Sequence, residues 1–159
     1  LAALAPVGNE LLWDLGAGSG SISVEWCLAA VGARALAVEA RADRAANIRR
    51  NAGTFGLSHR LTVTEGGWPA AVRDLPAPDA VFIGGGADSA GIETIWGAMP
   101  VGARLVVNAV TLESEALLAS CHGIRGGTLM RFEIASAEPL GGRHGWRPAR
   151  PVVQWSVVK

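Results

Sequence analysis

An α/β fold, a mostly parallel sheet layered between helices and ending in an antiparallel hairpin, is what three features of the chain predict. Apolar runs of strand length alternate with helix-compatible segments over most of the chain. The first run leaves through a turn almost without side chains, Gly16-Ala17-Gly18-Ser19-Gly20, and the last two β-compatible segments have no helix between them. With 159 residues, 50% hydrophobic and 18% charged, the chain is the size of one domain, residues 1–159, able to bury its own core. Its 14 Lys and Arg residues balance its 14 Asp and Glu residues, so no global charge draws it to nucleic acid or to an anionic membrane. No apolar run approaches the ~18 residues of a membrane span, and no charged-then-apolar leader opens the chain, so a cytoplasmic protein is expected. Cys27 and Cys121 stand in helix-compatible segments without CxxC or His spacing and read as small buried apolar groups, with no metal site implied. The chain opens on Leu1, and residues 1–6 read as the last turns of a helix stopped by Pro6, as expected of a piece of something longer.

Taken in order, residues 11–15 form a buried strand carrying the acid Asp14, and three glycines follow at alternate positions before a helix opens at Ser21. Glycines permit positive φ and leave no Cβ in the way, while the N–H groups of a helix start seat a polar or anionic ligand group. A dinucleotide fingerprint would place its third glycine at position 21, where Ser21 stands, and would not ask for an acid at the strand end. The helix is mostly apolar, holds Glu25 as a polar or loop-tying group, and ends near Gly32. Residues 35–39 form a second strand closed by Glu39, placed to accept hydrogen bonds from both hydroxyls of a ribose across the crevice. Residues 41–55 form a helix with a solvated arginine face that Gly56 stops, and residues 60–65 a third strand. After the turn Gly66-Gly67-Trp68-Pro69, residues 69–75 read as a short helix and residues 76–78 as a stiff link to a fourth strand, 79–83. Gly84, Gly85 and Gly86 then make a flat, open floor suited to a large planar substrate. Neither an Asn-Pro-Pro-aromatic motif nor an acidic cluster for a divalent ion follows that strand. A helix at 89–99, a strand at 102–108 and a helix at 111–122 come next, the last with Thr111 as cap and Glu113 and Glu115 in its first turn. Residues 128–137 and 151–158 are the closing β segments. The loop between them, with Arg143, Arg147 and Arg150 and no acid after Glu138, concentrates positive charge.

The pattern Asp-x-Gly-x-Gly-x-Gly at residues 14–20 resembles motif I of the class I S-adenosylmethionine-dependent methyltransferases. That resemblance implies that Gly16, Ala17, Gly18, Ser19 and Gly20 pass under the methionine part of the cofactor, that Asp14 holds its amino group or the loop itself, and that Glu39 takes the ribose. In such enzymes the turn after the third strand gives an acid or amide to adenine. Here Gly67 stands at that place, leaving backbone groups and the Trp68 ring for the base, with plain core packing as the other reading of Trp68.

Three further stretches narrow the likeness: Phe82-Ile83-Gly84-Gly85-Gly86, Asn108-Ala109-Val110-Thr111-Leu112-Glu113, and residues 141–155 with Pro151-Val152-Val153-Gln154-Trp155. Together they resemble the C-terminal domain of the decarboxylating precorrin-6Y C(5,15)-methyltransferase family over nearly the whole chain. The resemblance implies a Rossmann-like three-layer sandwich around a seven-stranded, mostly parallel sheet. It also implies methylation of a tetrapyrrole meso carbon with loss of carbon dioxide from a ring acetate, in cobalamin biosynthesis. A fused N-terminal methylase domain and a homotetramer are implied as partners. Within that frame Asn108 and Glu113 are the catalytic candidates, Gly84 to Gly86 the substrate floor, and Arg143 and Arg147 the partners of substrate carboxylates. An RNA methyltransferase would show a broad basic face and a base-gripping motif, and neither is present. A non-catalytic nucleotide-binding or oligomerisation module would have no need of intact Asp14, glycine and Glu39 positions.

Overall fold

Strands buried on both faces read as unbroken apolar runs, and β1 (Leu11–Leu15) is buried at every residue. The computed structural model describes residues 1–159. Beside β1 lie β2 (Arg34–Glu39) and then β3 (Leu61–Glu65) on one side, β4 (Ala80–Ile83) and β5 (Arg104–Ala109) on the other, all parallel. Two antiparallel strands, β6 (Thr128–Phe132) and β9 (Val152–Val158), complete a seven-stranded sheet in the order β3-β2-β1-β4-β5-β9-β6. The order reverses between β1 and β4, which opens a crevice at the carboxyl ends of those strands.

Alternation along the strands divides the core into two layers. Leu12, Phe82 and Val106 pack with Val24 and Trp26 of α1 (Ser21–Ala29) and Ile48 of α2 (Ala42–Thr54). Trp13, Ile83 and Leu105 pack on the other face with Ile92 and Ile95 of α3 (Ser89–Ala98) and Leu118 of α4 (Leu112–Arg125). This is the predicted three-layer sandwich. Side-chain caps start the last two helices: Asp88 accepts from the Gly91 N–H and Thr111 from the Ser114 N–H.

Three local expectations give way. Residues 1–6 form a single turn, in which the Leu1 carbonyl accepts from the N–H groups of Leu4 and Ala5, and Ala5 takes φ 44. One turn cannot propagate there, and Leu4 is anchored instead by burial against the α1 layer. The segment after Pro69 is a single 3-10 turn, Ala70–Val72, and Pro76 bars a helix from continuing through Leu75. The arginine-bearing loop is itself a hairpin, β7 (Ala135–Leu140) and β8 (Arg143–Pro148), forming a separate two-stranded sheet. Leu140 pairs with Arg143 around the two-residue turn Gly141-Gly142. Such a glycine pair supplies the positive φ that a tight hairpin needs, and Gly141 has φ 60. No helix of the structure is long and apolar enough to cross a membrane.

Candidate active site

The site is built where β1, β2 and β4 end. Asp14 points to the α1 side of the sheet and is fully enclosed. Its Oδ2 accepts from the Ser23 hydroxyl at 2.6 Å and the Ser23 N–H at 3.1 Å, while Oδ1 is sealed from solvent without a partner. Burial pushes this carboxyl up to about 6, against the pull of the Ser23 hydrogen bonds and with a small further push from the Glu39 charge. Asp14 therefore ties the end of β1 to the first turn of α1.

The glycines between them have different reasons to be glycine. A Cβ on Gly16 would lie 3.0 Å from the Gly85 carbonyl oxygen, and one on Gly84 would lie 3.0 Å from the Gly16 carbonyl oxygen, so the turn after β1 and the floor after β4 touch backbone to backbone. A Cβ on Gly20 would meet Ile48 Cγ2 at 2.7 Å. Gly18 takes φ 61 and has nothing within 4 Å of its Cβ direction. Two glycines serve packing; the third borders open space. Ala17 packs on the α1 layer, and the Ser19 carbonyl accepts from the Asn51 side-chain amide of α2 at 2.9 Å.

Glu39 is 5% exposed and crosses from β2 to this turn. Its Oε2 accepts from the Gly18 N–H at 2.8 Å and its Oε1 from the Arg41 N–H at 3.0 Å. Each oxygen has one partner and retains acceptor capacity. The spare acceptor capacity of Glu39 beside the open Gly18 fits a vicinal hydroxyl pair such as the ribose of S-adenosylmethionine. The turn after β3 is tied to the same place through Gly66 N–H and the Glu39 carbonyl, at 3.0 Å. Gly67 is exposed and open, whereas Trp68 is half-buried with its ring packed on Gly91 of α3.

Gly84, Gly85 and Gly86 are exposed, as an open floor requires. Asn108, near the end of β5, accepts from the Gln154 amide of β9 at 2.9 Å, which leaves its own amide N–H groups free. Glu113 is exposed on the first turn of α4, and its carboxylate forms no ion pair or hydrogen bond within the chain. Arg143 and Arg147 share one face of the hairpin, Arg147 paired with Glu138 at 3.2 Å. The hairpin springs from the paired ends of β6 and β9 at Phe132 and Val152, the sheet edge at which β5 also ends, since Ala109 pairs with Val153. Arg143 and Arg147 are thus carried on a hairpin that leaves the sheet at the end that holds the crevice.

Sequence reasoning missed Ser23, Asn51 and Gln154. Ser23 had a signal, a small polar residue on the inward face of an apolar helix. The other two act across elements that only the fold brings together.

Sheet order, strand-end acid and open glycine turn give the chain the Rossmann-like fold of the class I methyltransferases. An O-methyltransferase of that class from Thermotoga maritima has the same fold, with TM-score 0.71 and 19% identity over 99% of this chain and 63% of that one. The family model for the precorrin methyltransferase domain matches residues 1–159, and the chain belongs to that family. It is 52% identical over 160 residues to the precorrin-6Y C(5,15)-methyltransferase (decarboxylating) of a Sinorhizobium species, covering 100% of this chain and 38% of that protein. The crystal structure of the C-terminal domain of the Rhodobacter capsulatus precorrin-6Y C5,15-methyltransferase superposes with TM-score 0.96 at 55% identity, over 100% of this chain and 85% of that one.

Proposed function

We propose that this domain methylates a meso carbon of a precorrin from S-adenosylmethionine and couples the transfer to loss of carbon dioxide from a ring acetate, a step of cobalamin biosynthesis. The observation that carries the reading is the full-length family match falling on an intact nucleotide edge, with the Glu39 carboxylate beside the open Gly18. The chain spans about two-fifths of the length of the precorrin-6Y methyltransferases it matches, which supports a longer protein with an N-terminal methylase domain. It acts in the cytoplasm on a large, carboxylate-fringed tetrapyrrole, without nucleic acid or membrane.

S-adenosylmethionine supplies an electrophilic methyl group on a sulfonium centre. Glu39 accepts both ribose hydroxyls, Gly16 to Gly20 pass beneath the methionine part, and backbone groups of Gly66 and Gly67 face the base. Asp14, through Ser23, holds the turn in shape rather than touching the ligand. Attack by an electron-rich carbon needs alignment and a dry approach more than an acid or base, so the residues that position the macrocycle on Gly84 to Gly86 contribute most to rate. Arg143 and Arg147 of the hairpin meet carboxylates at the macrocycle rim. In the decarboxylation the bonding pair left by the carboxylate passes into the macrocycle. Asn108 orients the polar rim with its free N–H groups, and Glu113 delivers or directs a proton.

A homotetramer is favoured by apolar side chains left in water along β6 and the hairpin: Met130, Phe132, Ile134, Leu140 and Trp146, the last 77% exposed.

The test is calorimetry with S-adenosylmethionine beside NAD. The parent should bind the first and not the second. Glu39→Ala should weaken it by roughly 2–4 kcal/mol, the loss of two charge-assisted hydrogen bonds, with an unchanged circular dichroism spectrum. Unchanged affinity in a folded variant would sink the assignment.

A further inference from the structure

Trp68 has one end of its indole fixed and the other unused. A Cβ on Gly91 would lie 2.8 Å from Trp68 Cζ3 and 3.1 Å from Cη2, so only glycine at that point of α3 lets helix and indole meet. Gly91 is itself held by its N–H bond to Asp88 Oδ1 at 2.6 Å, and the ring also packs against the buried layer that contains Ile92 and Ile95. The benzenoid end of the indole is thereby clamped.

Nε1 lies across the indole from Cζ3. In this structure it lies 4.0 Å from the Cβ position of Gly86, the last glycine of the exposed floor. The indole N–H groups of Trp13 and Trp155 are satisfied by the carbonyls of Pro76 and Gly126; those of Trp26 and Trp68 have no acceptor in the chain, but the Trp26 group is sealed in the core whereas the Trp68 group borders the exposed floor at Gly86. A clamped ring cannot swing to find one. An indole N–H only donates, does not titrate, and is most strongly bound by a carboxylate oxygen.

We propose that Trp68 is a substrate-binding residue whose N–H donates to a rim carboxylate of the tetrapyrrole lying on Gly84 to Gly86, with Gly91 as its positioning residue. The assignment rests on the reading of that floor as the tetrapyrrole seat. It differs from the sequence expectation that the Trp68 ring lies against the base.

Trp68→Phe keeps an aromatic ring against Gly91 and deletes the donor. It should raise the KM for the precorrin about tenfold, with kcat and the calorimetric Kd for S-adenosylmethionine each within about twofold of the parent. Gly91→Ala touches neither ligand but drives the ring from its seat, and should raise the same KM while leaving the same Kd. Equal loss of cofactor affinity in the two variants would place Trp68 under the base and overturn the proposal, as would an unchanged KM in both. The parent is measured alongside: failure to turn over a precorrin while still binding S-adenosylmethionine would overturn the underlying reading and this assignment with it.

Discussion

Asp14 and Glu39 are both buried acids at adjacent strand ends, yet they are committed differently. Glu39 has backbone N–H partners on both oxygens and faces the open side of the glycine turn, whereas Asp14 has one oxygen with no partner and no solvent. An enclosed carboxyl pushed up to about 6 from 3.8 makes a definite demand on pH. Below the unfolded value both states hold the proton and the group contributes nothing. Between about 3.8 and 6 the unfolded chain has released its proton while the folded one keeps it, so stability falls as pH rises, and above that the whole penalty persists. Asp14→Asn keeps an acceptor for Ser23 and cannot ionise. Relative to the parent, its unfolding free energy should therefore improve by the order of 2–3 kcal/mol between pH 4 and pH 7, measured by denaturant titration at each pH. Parallel pH profiles for the two proteins would mean that Asp14 is not held in the state described.

At the scale of elements, the glycine turn is held from three sides. Asp14 and Ser23 fix it to α1, the Val38 carbonyl accepts from the N–H groups of Gly16 and Ala17, and α2 supplies Ile48 beneath Gly20 and Asn51 at Ser19. The hairpin β7–β8 is the opposite case, joined to the sheet by two short connectors that bond to each other from Ala149 N–H to the Ile134 carbonyl. An element with so little packing on the domain can carry recognition without disturbing the cofactor edge. Replacing Arg143 and Arg147 together with Gln should weaken tetrapyrrole binding and lessen its salt dependence, while S-adenosylmethionine affinity stays at the parent value. Calorimetry of both ligands at low and high salt decides this; a parallel loss of both would make the hairpin structural.

For the molecule as a whole, the proposed function places two reactions in one crevice, and they make different demands. On that proposal, methyl transfer calls for alignment, which the close contact of Gly16 with Gly85 would support, and decarboxylation calls for a polar group at the rim. Glu113→Gln should slow substrate turnover with cofactor binding unchanged, and should impair loss of carbon dioxide more than gain of a methyl group. Product masses separate the two, since the one change adds a methyl and the other removes carbon dioxide. Parent rates for both would leave Glu113 as an acid that serves only the helix dipole.

The sequence by itself determined the order of strands and helices, the glycine turn, the strand-end acids and the family likeness, because each is written in local terms. Apolar runs, positive-φ residues and acids at run ends act over a few neighbouring residues. The hairpin was legible too, in the pair Gly141-Gly142, but the arginines around it drew the reading toward a loop. What only the tertiary structure decided is how distant pieces meet. Gly16 and Gly84 are glycines because two turns touch, Gly20 because Ile48 lies against it, and Gly91 because Trp68 does. Asn108 presents donors because Gln154, 46 residues further along the chain, occupies its acceptor. Such contacts depend on the packing of segments whose separation in sequence carries no trace of their separation in space, so no spacing or period along the chain announces them.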